Sequence, residues 1–288
     1  MFRLKGPSFE AAIVNITFKV DAELDQINRR TWRTRNVLDQ YRDLEGYIDP
    51  GERAATDWLR DECRGRPILD IGVGCGRTVP LLRAISEDYI GADYTQELLD
   101  VAIRKHPQVR FLNVDARDMT RFEDESFYLV NFSYNAIDAV NRLDRIKILN
   151  EVRRVLKPGG LFLFSAHNRQ GPGTHEGLAQ LLPGFTRNPF KFAWRAARKM
   201  VELPLGLRNY LRFHRVRIER EDHVIANAAA HNFGLILLYT SFTDQVAQLA
   251  TCGFRVEAAF DSARGAPVTG DVPGVWWFHY IARKQTNH

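Results

Sequence analysis

The stretch Ile68–Leu82, ILDIGVGCGRTVPLL, reads as a buried strand that ends in a glycine-rich turn and opens a helix. Gly72, Gly74 and Gly76 stand at alternate positions, where the missing Cβ atoms let a ligand approach main chain and let the backbone take φ > 0. The free N–H groups at the start of an Arg77–Leu82 helix suit a carboxylate or phosphate, helped by the helix dipole. A tight strand-to-helix connection would look the same, so the neighbouring segments decide what the turn is for.

Downstream the pattern is strand, helix, strand, helix. Strands are predicted over Ile68–Ile71, Tyr89–Asp93, Val109–Val114, Phe127–Ser133 and Leu161–Ser165, and helices over Thr78–Ile85, Glu97–His106 and Arg142–Leu156. Short apolar strands separated by helices imply a doubly wound, Rossmann-like α/β sheet, parallel and covered on both faces. The Arg142–Leu156 helix carries Leu143, Ile146, Leu149, Val152, Val155 and Leu156 at near-helical spacing and stops at Lys157-Pro158-Gly159-Gly160. Alternation resumes with a helix at Thr243–Cys252 and strands at Arg255–Asp261 and Val275–Arg283. The last strand has no helix after it, which suits an antiparallel edge added to an otherwise parallel sheet. Upstream, Phe9–Val20 has rough strand alternation, Glu23–Tyr41 is a polar helical stretch, and Glu52–Cys63 is a helix with Ala55, Trp58 and Leu59 as its inner face.

These boundaries divide the 288 residues into an N-terminal extension or lid (1–50), a sheet core (51–168 and 236–288) and an insertion (169–235) too long for a simple loop. The insertion is basic and aromatic. Between Arg169 and Arg220 eleven basic residues face only Glu176, Glu202 and Glu219, a local balance of +8 against +5 for the whole chain. Phe185, Phe190, Trp194, Leu203, Tyr210 and others are interspersed with those charges, so an amphipathic cap with a wet outer face is expected, the alternatives being a pocket for an anionic small molecule or glycan phosphate and a patch for nucleic-acid or membrane phosphates. No apolar run approaches the roughly 20 residues that span a bilayer, and Ala11–Val20 is interrupted by Asn15, Thr17 and Lys19. Cys63, Cys75 and Cys252 have no metal-ligand spacing and form no even disulfide set, which predicts a cytoplasmic protein without structural zinc.

In such sheets ligands lie beyond the carboxyl ends of the strands. The residues there are Asp70, Asp93-Tyr94, Asp115-Ala116-Arg117, Ser133-Tyr134-Asn135 and His167-Asn168. A carboxylate at Asp93 can accept both hydrogens of a ribose diol, although a helix-capping acid would occupy the same place. Asp115 can accept from the exocyclic amine of a base, the Ala116 amide can serve a ring nitrogen, and Leu98 can cover a base or belong to the core.

Taken together, Ile68–Leu82, Gly91-Ala92-Asp93, Asn113-Val114-Asp115-Ala116, Phe127–Asn135 and Glu151–Gly160, ending in EVRRVLKPGG, resemble the successive motifs of class I S-adenosylmethionine-dependent methyltransferases. The resemblance runs from Gly51 to His167 and more loosely over the closing strands. It implies a seven-stranded sheet with an antiparallel last strand and S-adenosyl-L-methionine as cofactor. It also implies that Gly72, Gly74 and Gly76 border the methionine part, Asp93 the ribose and Asp115-Ala116 the adenine. By the same analogy Tyr41 folds over the cofactor, and Ser133 and Tyr134 lie near the methyl donor. A dinucleotide oxidoreductase fits less well, because the G-x-G-x-x-G spacing is absent after Gly76.

A sulfonium-bound methyl is already electrophilic, so alignment of a nucleophile is the protein's chief task, worth roughly 7–11 kcal/mol of barrier. A hydroxyl acceptor also wants a general base. His167 and His231 are the candidate bases, and Asn135, Asp138, Asn168 and Tyr239 the candidate substrate contacts. FSYN after the fourth strand is neither the Asn/Asp-Pro-Pro-aromatic signature of base-amine methylation nor a Pro-Cys pair, which argues against modification of nucleic-acid bases. FSYNAID, LFSAHN and AHNF resemble bacterial methyltransferases acting on small molecules or on polysaccharide sugars. The expectation is O- or N-methylation of a small acceptor, with an anionic or sugar-containing molecule as the candidate class. The alternatives are a non-catalytic S-adenosylmethionine-binding regulatory or scaffold protein and an RNA-directed methyltransferase.

Overall fold

The computed structural model describes residues 24–42 and 46–286. The strand expected at Phe9–Val20 lies outside them. Helical residues 24–32 (α1) and Arg35–Arg42 (α2) replace the single helix expected over Glu23–Tyr41; a turn at 33–34 separates them. The chain then alternates through α3 (Pro50–Cys63), β1 (Ile68–Ile71), α4 (Val79–Arg83), β2 (Tyr89–Asp93), α5 (Gln96–Lys105), β3 (Arg110–Asn113), β4 (Phe127–Phe132), α6 (Arg142–Val155) and β5 (Leu156–His167).

Local chemistry sets these boundaries. Asp49 caps α3 by accepting the Glu52 N–H at 2.9 Å, with Pro50 in the first turn where its missing N–H costs nothing. Asn141 caps α6 in the same way through the Asp144 N–H. On α6 the buried face is Ile148, Leu149, Val152 and Val155, whereas Leu143 is 73% exposed and does not share the inner face expected of it. Trp58 on α3 is likewise outward, 42% exposed, while Ala55 and Leu59 are buried as expected. The Lys157–Gly160 stop is a bulge in the strand: Phe127 pairs with Leu156, yet Leu129 pairs with Leu161, so four residues loop out.

Seven strands form one sheet in the order β3-β2-β1-β4-β5-β10-β9, with β9 at Phe254–Asp261 and β10 at Trp277–Lys284. Pairs among β1 to β5 are parallel; β10 is antiparallel to both β5 and β9. The last strand is therefore the antiparallel one, though it lies between β5 and β9 and not at the edge. Period-two alternation sends Leu69 and Ile71 to the layer with α6 and α9 (Phe242–Thr251), and Ile68 and Asp70 to the layer with α3 and α4. Strand order reverses between β1 and β4, which opens a crevice at their carboxyl ends.

The insertion is folded. It contains α7 (Pro189–Phe213) and a separate antiparallel sheet of β6 (Arg217–Glu219), β7 (Val224–Ala228) and β8 (Leu235–Tyr239), with a short turn segment α8 (Ala230–Phe233) between the last two. Because β8 pairs with β7, the insertion runs to Tyr239, and the core boundary expected at residue 236 moves to about 240. Its two ends meet: the Arg169 N–H donates to the Thr240 carbonyl at 2.8 Å, and Asn168 and Thr240 form a parallel bridge. One face of the small sheet packs with Ala139 and Trp32, the other with Leu24 and Phe213. The wet outer face expected of the cap is not what α7 presents, since of its residues only Gly206 and Phe213 are buried and its large apolar side chains are largely exposed.

Candidate functional site

Two cavities meet above the carboxyl ends of the strands. The first is a slot floored by the β1 turn, with Gly72 and Gly74 at φ +65° and +55°. A Cβ on Gly74 would come no closer than 4.0 Å to any neighbour, the ring of Tyr41, and so would project into the slot. Asp93, at the end of β2, is nearly buried; one of its oxygens accepts the Gly74 N–H at 3.0 Å and the other the Thr95 N–H at 2.7 Å. Burial pushes its carboxyl up to about 6 in spite of those two donors. Tyr94, Leu98, Asp115, Ala116 and Arg117 line the same slot, as the strand-end reading placed them. Burial would raise the Asp115 carboxyl, yet hydrogen bonds from Arg117 and Arg29 outweigh it and hold the group near 2.

Two slot residues, Arg29 and Trp32, have no motif in the sequence, whereas Tyr41 stands where the resemblance placed it. Arg29 bridges Asp25 and Asp115 and lies with its guanidinium 4.1 Å from the ring centre of Tyr94. Trp32 and Tyr41 close the slot from α1 and α2, their ring centres 5.7 Å apart. Asn28 holds this lid: its buried amide donates to the carbonyls of Ala139 and Ile236 at 2.8 Å and accepts the Ile236 N–H. The polar composition of Glu23–Tyr41 gave a helix but no sign of this clamp.

Beyond the lid lies a chamber of about 410 Å3, lined by Ser133, Tyr134, Asn135, His167 and Tyr239 together with Trp276, Trp277 and the wall Ala228–His231. Slot and chamber share Trp32, Tyr41, Gly72, Ala136 and Ala139, so they join there. His167 Nδ1 faces the Asp138 carboxylate at 2.8 Å, and the same oxygen accepts the His167 backbone N–H. Since a carboxylate only accepts, Nδ1 carries the proton and Nε2 is left with its lone pair, 3.4 Å from the Asn135 amide nitrogen. Asp138 is itself paired with Arg145, both fully buried, and Gln245 and Gln248 hold the guanidinium from α9.

Several expected site residues take other places. Asp70 points into the α3–α4 layer, where Thr78, Tyr89 and Asn131 donate to it, and it does not reach the slot. Gly76 packs against His106, whose ring a Cβ would meet at 2.8 Å, and is not a slot residue. Asp138 sits fully buried behind His167 and lines neither the slot nor the chamber. Asn168 ties down the loop before β10 through the carbonyls of Val272 and Val275 and does not line the chamber. His231 lines the chamber, stacked 5.6 Å from Tyr41 and bonded through Nδ1 to Gln40 at 2.9 Å. Burial pushes its imidazole down to about 4, too weakly basic to take a proton near neutrality. Tyr134, Asn135, His231, Asn232 and Phe233 all have φ between 51° and 59°, left-handed backbone that non-glycine residues hold only when their surroundings impose it. Glu176 and the tryptophans of the β10 approach also line the chamber, and no sequence spacing had marked them.

Strand order, switch point and slot together define the class I S-adenosylmethionine-dependent methyltransferase fold. Residues 68–160 match the methyltransferase-domain family. It is 31% identical over 145 residues to a demethylmenaquinone methyltransferase of Clavibacter sepedonicus, covering 49% of this chain; the chain spans 55% of that relative's length. Among solved structures it is similar to an S-adenosylmethionine-dependent methyltransferase from Mesorhizobium loti (TM-score 0.53, 16% identity, covering 81% of this chain and 97% of that one). It is also similar to the 1,6-didemethyltoxoflavin-N1-methyltransferase of Burkholderia thailandensis (TM-score 0.52, 12% identity, covering 99% and 93%). At those identities the structures speak for the fold alone. Among the described residues no helix is long and apolar enough to cross a membrane, and no cluster of three or more His, Cys, Asp or Glu suits a metal ion.

Proposed function

We propose that the protein transfers a methyl group from S-adenosylmethionine to an ionisable O–H or ring N–H of a small, ring-bearing molecule held in the chamber. The observation that carries this reading is the His167–Asp138 pair on the wall of a chamber that opens into the slot. The slot fits the cofactor: Gly74 leaves room that a Cβ would fill, Asp93 retains lone pairs for hydroxyl donors, and Asp115-Ala116 stand at the base end. When bound there, S-adenosylmethionine supplies an electrophilic methyl. Tyr41, Trp32 and Gly72, at the junction, would exclude water and orient the two reactants, the contribution that proximity makes largest.

In this reading His167 Nε2 takes the acceptor's proton as its oxygen or nitrogen becomes nucleophilic. Asp138 fixes the ring and offsets the imidazolium charge, as carboxylates do behind catalytic histidines. His231, kept neutral by burial, is a wall and not a second base. The lining of the chamber supports an aromatic or heterocyclic acceptor: Trp276, Trp277 and Tyr239 offer flat apolar faces. Among the described lining residues none is Lys or Arg, and Glu176 is present, so an anionic acceptor is disfavoured there. The quinone and toxoflavin precursors named for the relatives are ring systems of this kind. A sugar remains the second choice, since its stacking on tryptophan would use the same walls.

The test is a panel of phenols, hydroxyquinones, N–H heterocycles and glycosides incubated with methyl-labelled S-adenosylmethionine. Label is expected in the ring-bearing acceptors. Tight S-adenosylhomocysteine binding with no transfer to any member would favour a regulatory binding protein instead.

A further inference from the structure

α7 is amphipathic the wrong way round for a helix that covers a core. Its inward stripe, Arg195, Lys199, Glu202, Gly206, Asn209 and Phe213 at spacings of three and four, is mostly polar. Lys199 donates to the Gln180 carbonyl, Arg195 to that of Gly184 and Asn209 to that of Asn232. The opposite stripe carries Phe190, Trp194, Val201, Leu205 and Leu211, all exposed, with Phe190 at 86% and Val201 at 82%. Among the described residues nothing covers this face. Leaving so many large apolar side chains of one helix in water is costly, and surfaces of this kind mark sites of association.

The charges around the stripe decide between occupants. Lys191 and Arg198 lie beside it, Arg208 and Arg212 are interspersed in its C-terminal half, and the single acid of the helix, Glu202, is held by Arg198 at 2.9 Å. A second copy of the chain would set these cations against one another. Residues 1–23 carry three basic and three acidic residues and offer no complementary charge. An anionic bilayer satisfies both halves: aromatic and aliphatic side chains enter the acyl boundary while Lys and Arg reach the phosphates. We infer that α7 lies in the plane of an anionic phospholipid membrane and docks the protein on it. A groove of about 670 Å3 lined by Trp194, Arg198 and Lys199 runs from this helix to Tyr134 and His231, which also line the chamber. An amphiphilic acceptor dissolved in the bilayer thereby has a route to the chamber, a consequence that rests on the methyl-transfer reading, whereas the docking does not.

The experiment is flotation of the full chain with vesicles of phosphatidylcholine alone and of phosphatidylcholine with phosphatidylglycerol. Binding is expected only to the anionic vesicles and to fall as salt is raised. Two triple variants, Phe190→Ser with Trp194→Ser and Val201→Ser, and Lys191→Glu with Arg208→Glu and Arg212→Glu, should each weaken binding at least about tenfold. S-adenosylhomocysteine affinity should stay unchanged in both, which shows them folded. The inference is overturned if the full chain ignores both vesicle types. It is equally overturned if vesicle binding survives the two triple variants, or if the protein is a dimer that the serine variant dissociates while vesicles remain unbound. None of these failures touches the methyl-transfer panel, which needs no lipid.

Discussion

The slot and the chamber meet at Tyr41 and Gly72 but are made of different material. The slot draws its floor and polar ends from Gly72 to Arg117, strand ends held in register within a run of five parallel strands. The chamber collects Tyr134, His167, Tyr239 and Trp276 from four distant parts of the chain, two of them in or beyond the insertion. A cavity built on sheet register is written locally; one built across an insertion is set by contacts between segments far apart in sequence. The first can stay fixed while the second varies.

The sharpest way to break that division is His167→Gln. Turnover should fall by about two to four orders of magnitude, the usual contribution of a positioned base, while calorimetry finds S-adenosylhomocysteine affinity unchanged. A parallel loss of both would mean that the two cavities are not separable. Conversely, Asp93→Ala should weaken S-adenosylhomocysteine by about tenfold to a hundredfold, the range for a hydrogen bond to a charged group, and leave acceptor binding alone.

A pH titration sharpens the same point. Burial raises the Asp93 carboxyl to about 6 from an ordinary 3.8, so in the fold it takes up a proton before the unfolded chain does. Its ionised form therefore opposes folding above pH 6, an opposition that fades as the pH falls from 6 towards 4. Ligand binding responds in the other direction, because hydroxyl donors need the ionised acceptor. S-adenosylhomocysteine affinity should drop by about tenfold or less between pH 7 and 5, and Asp93→Asn should flatten the profile measured by calorimetry. The smallest effect is Leu143→Gln on the outward side of α6, which should change stability by less than about 0.5 kcal/mol in urea unfolding. A larger loss would restore Leu143 to the core.

What was legible in the sequence follows the same line. The strands Ile68–Ile71 and Tyr89–Asp93 and the residues Asp93, Asp115 and Ala116 were readable because apolar runs, glycines and acids lie next to one another along the chain. Asp70 misled because it belongs to the same strand end, yet the strand's alternation turns it under the helices. Asp138 and Asn168 misled for a different reason: polar residues beside a site are as often the supports of its walls as the walls themselves. Arg29, Trp32 and Asn28 were hidden, since their partners Asp115, Tyr41 and Ile236 are brought to them only by tertiary folding. The outward face of α7 shows the limit of composition. Apolar spacing identifies a helical stripe but not the side of the molecule it faces.

The joined ends of the insertion carry a consequence for how this protein can change. Residues 169–239 leave and re-enter the sheet through adjacent backbone at Asn168 and Thr240. To the rest of the molecule they amount to one loop-sized step between β5 and α9. Such a segment can be lengthened, exchanged or transplanted with little disturbance to the register beneath it. The chain is thus arranged like a tool with an interchangeable head, and descent from a common ancestor can remake the chamber without re-inventing the slot.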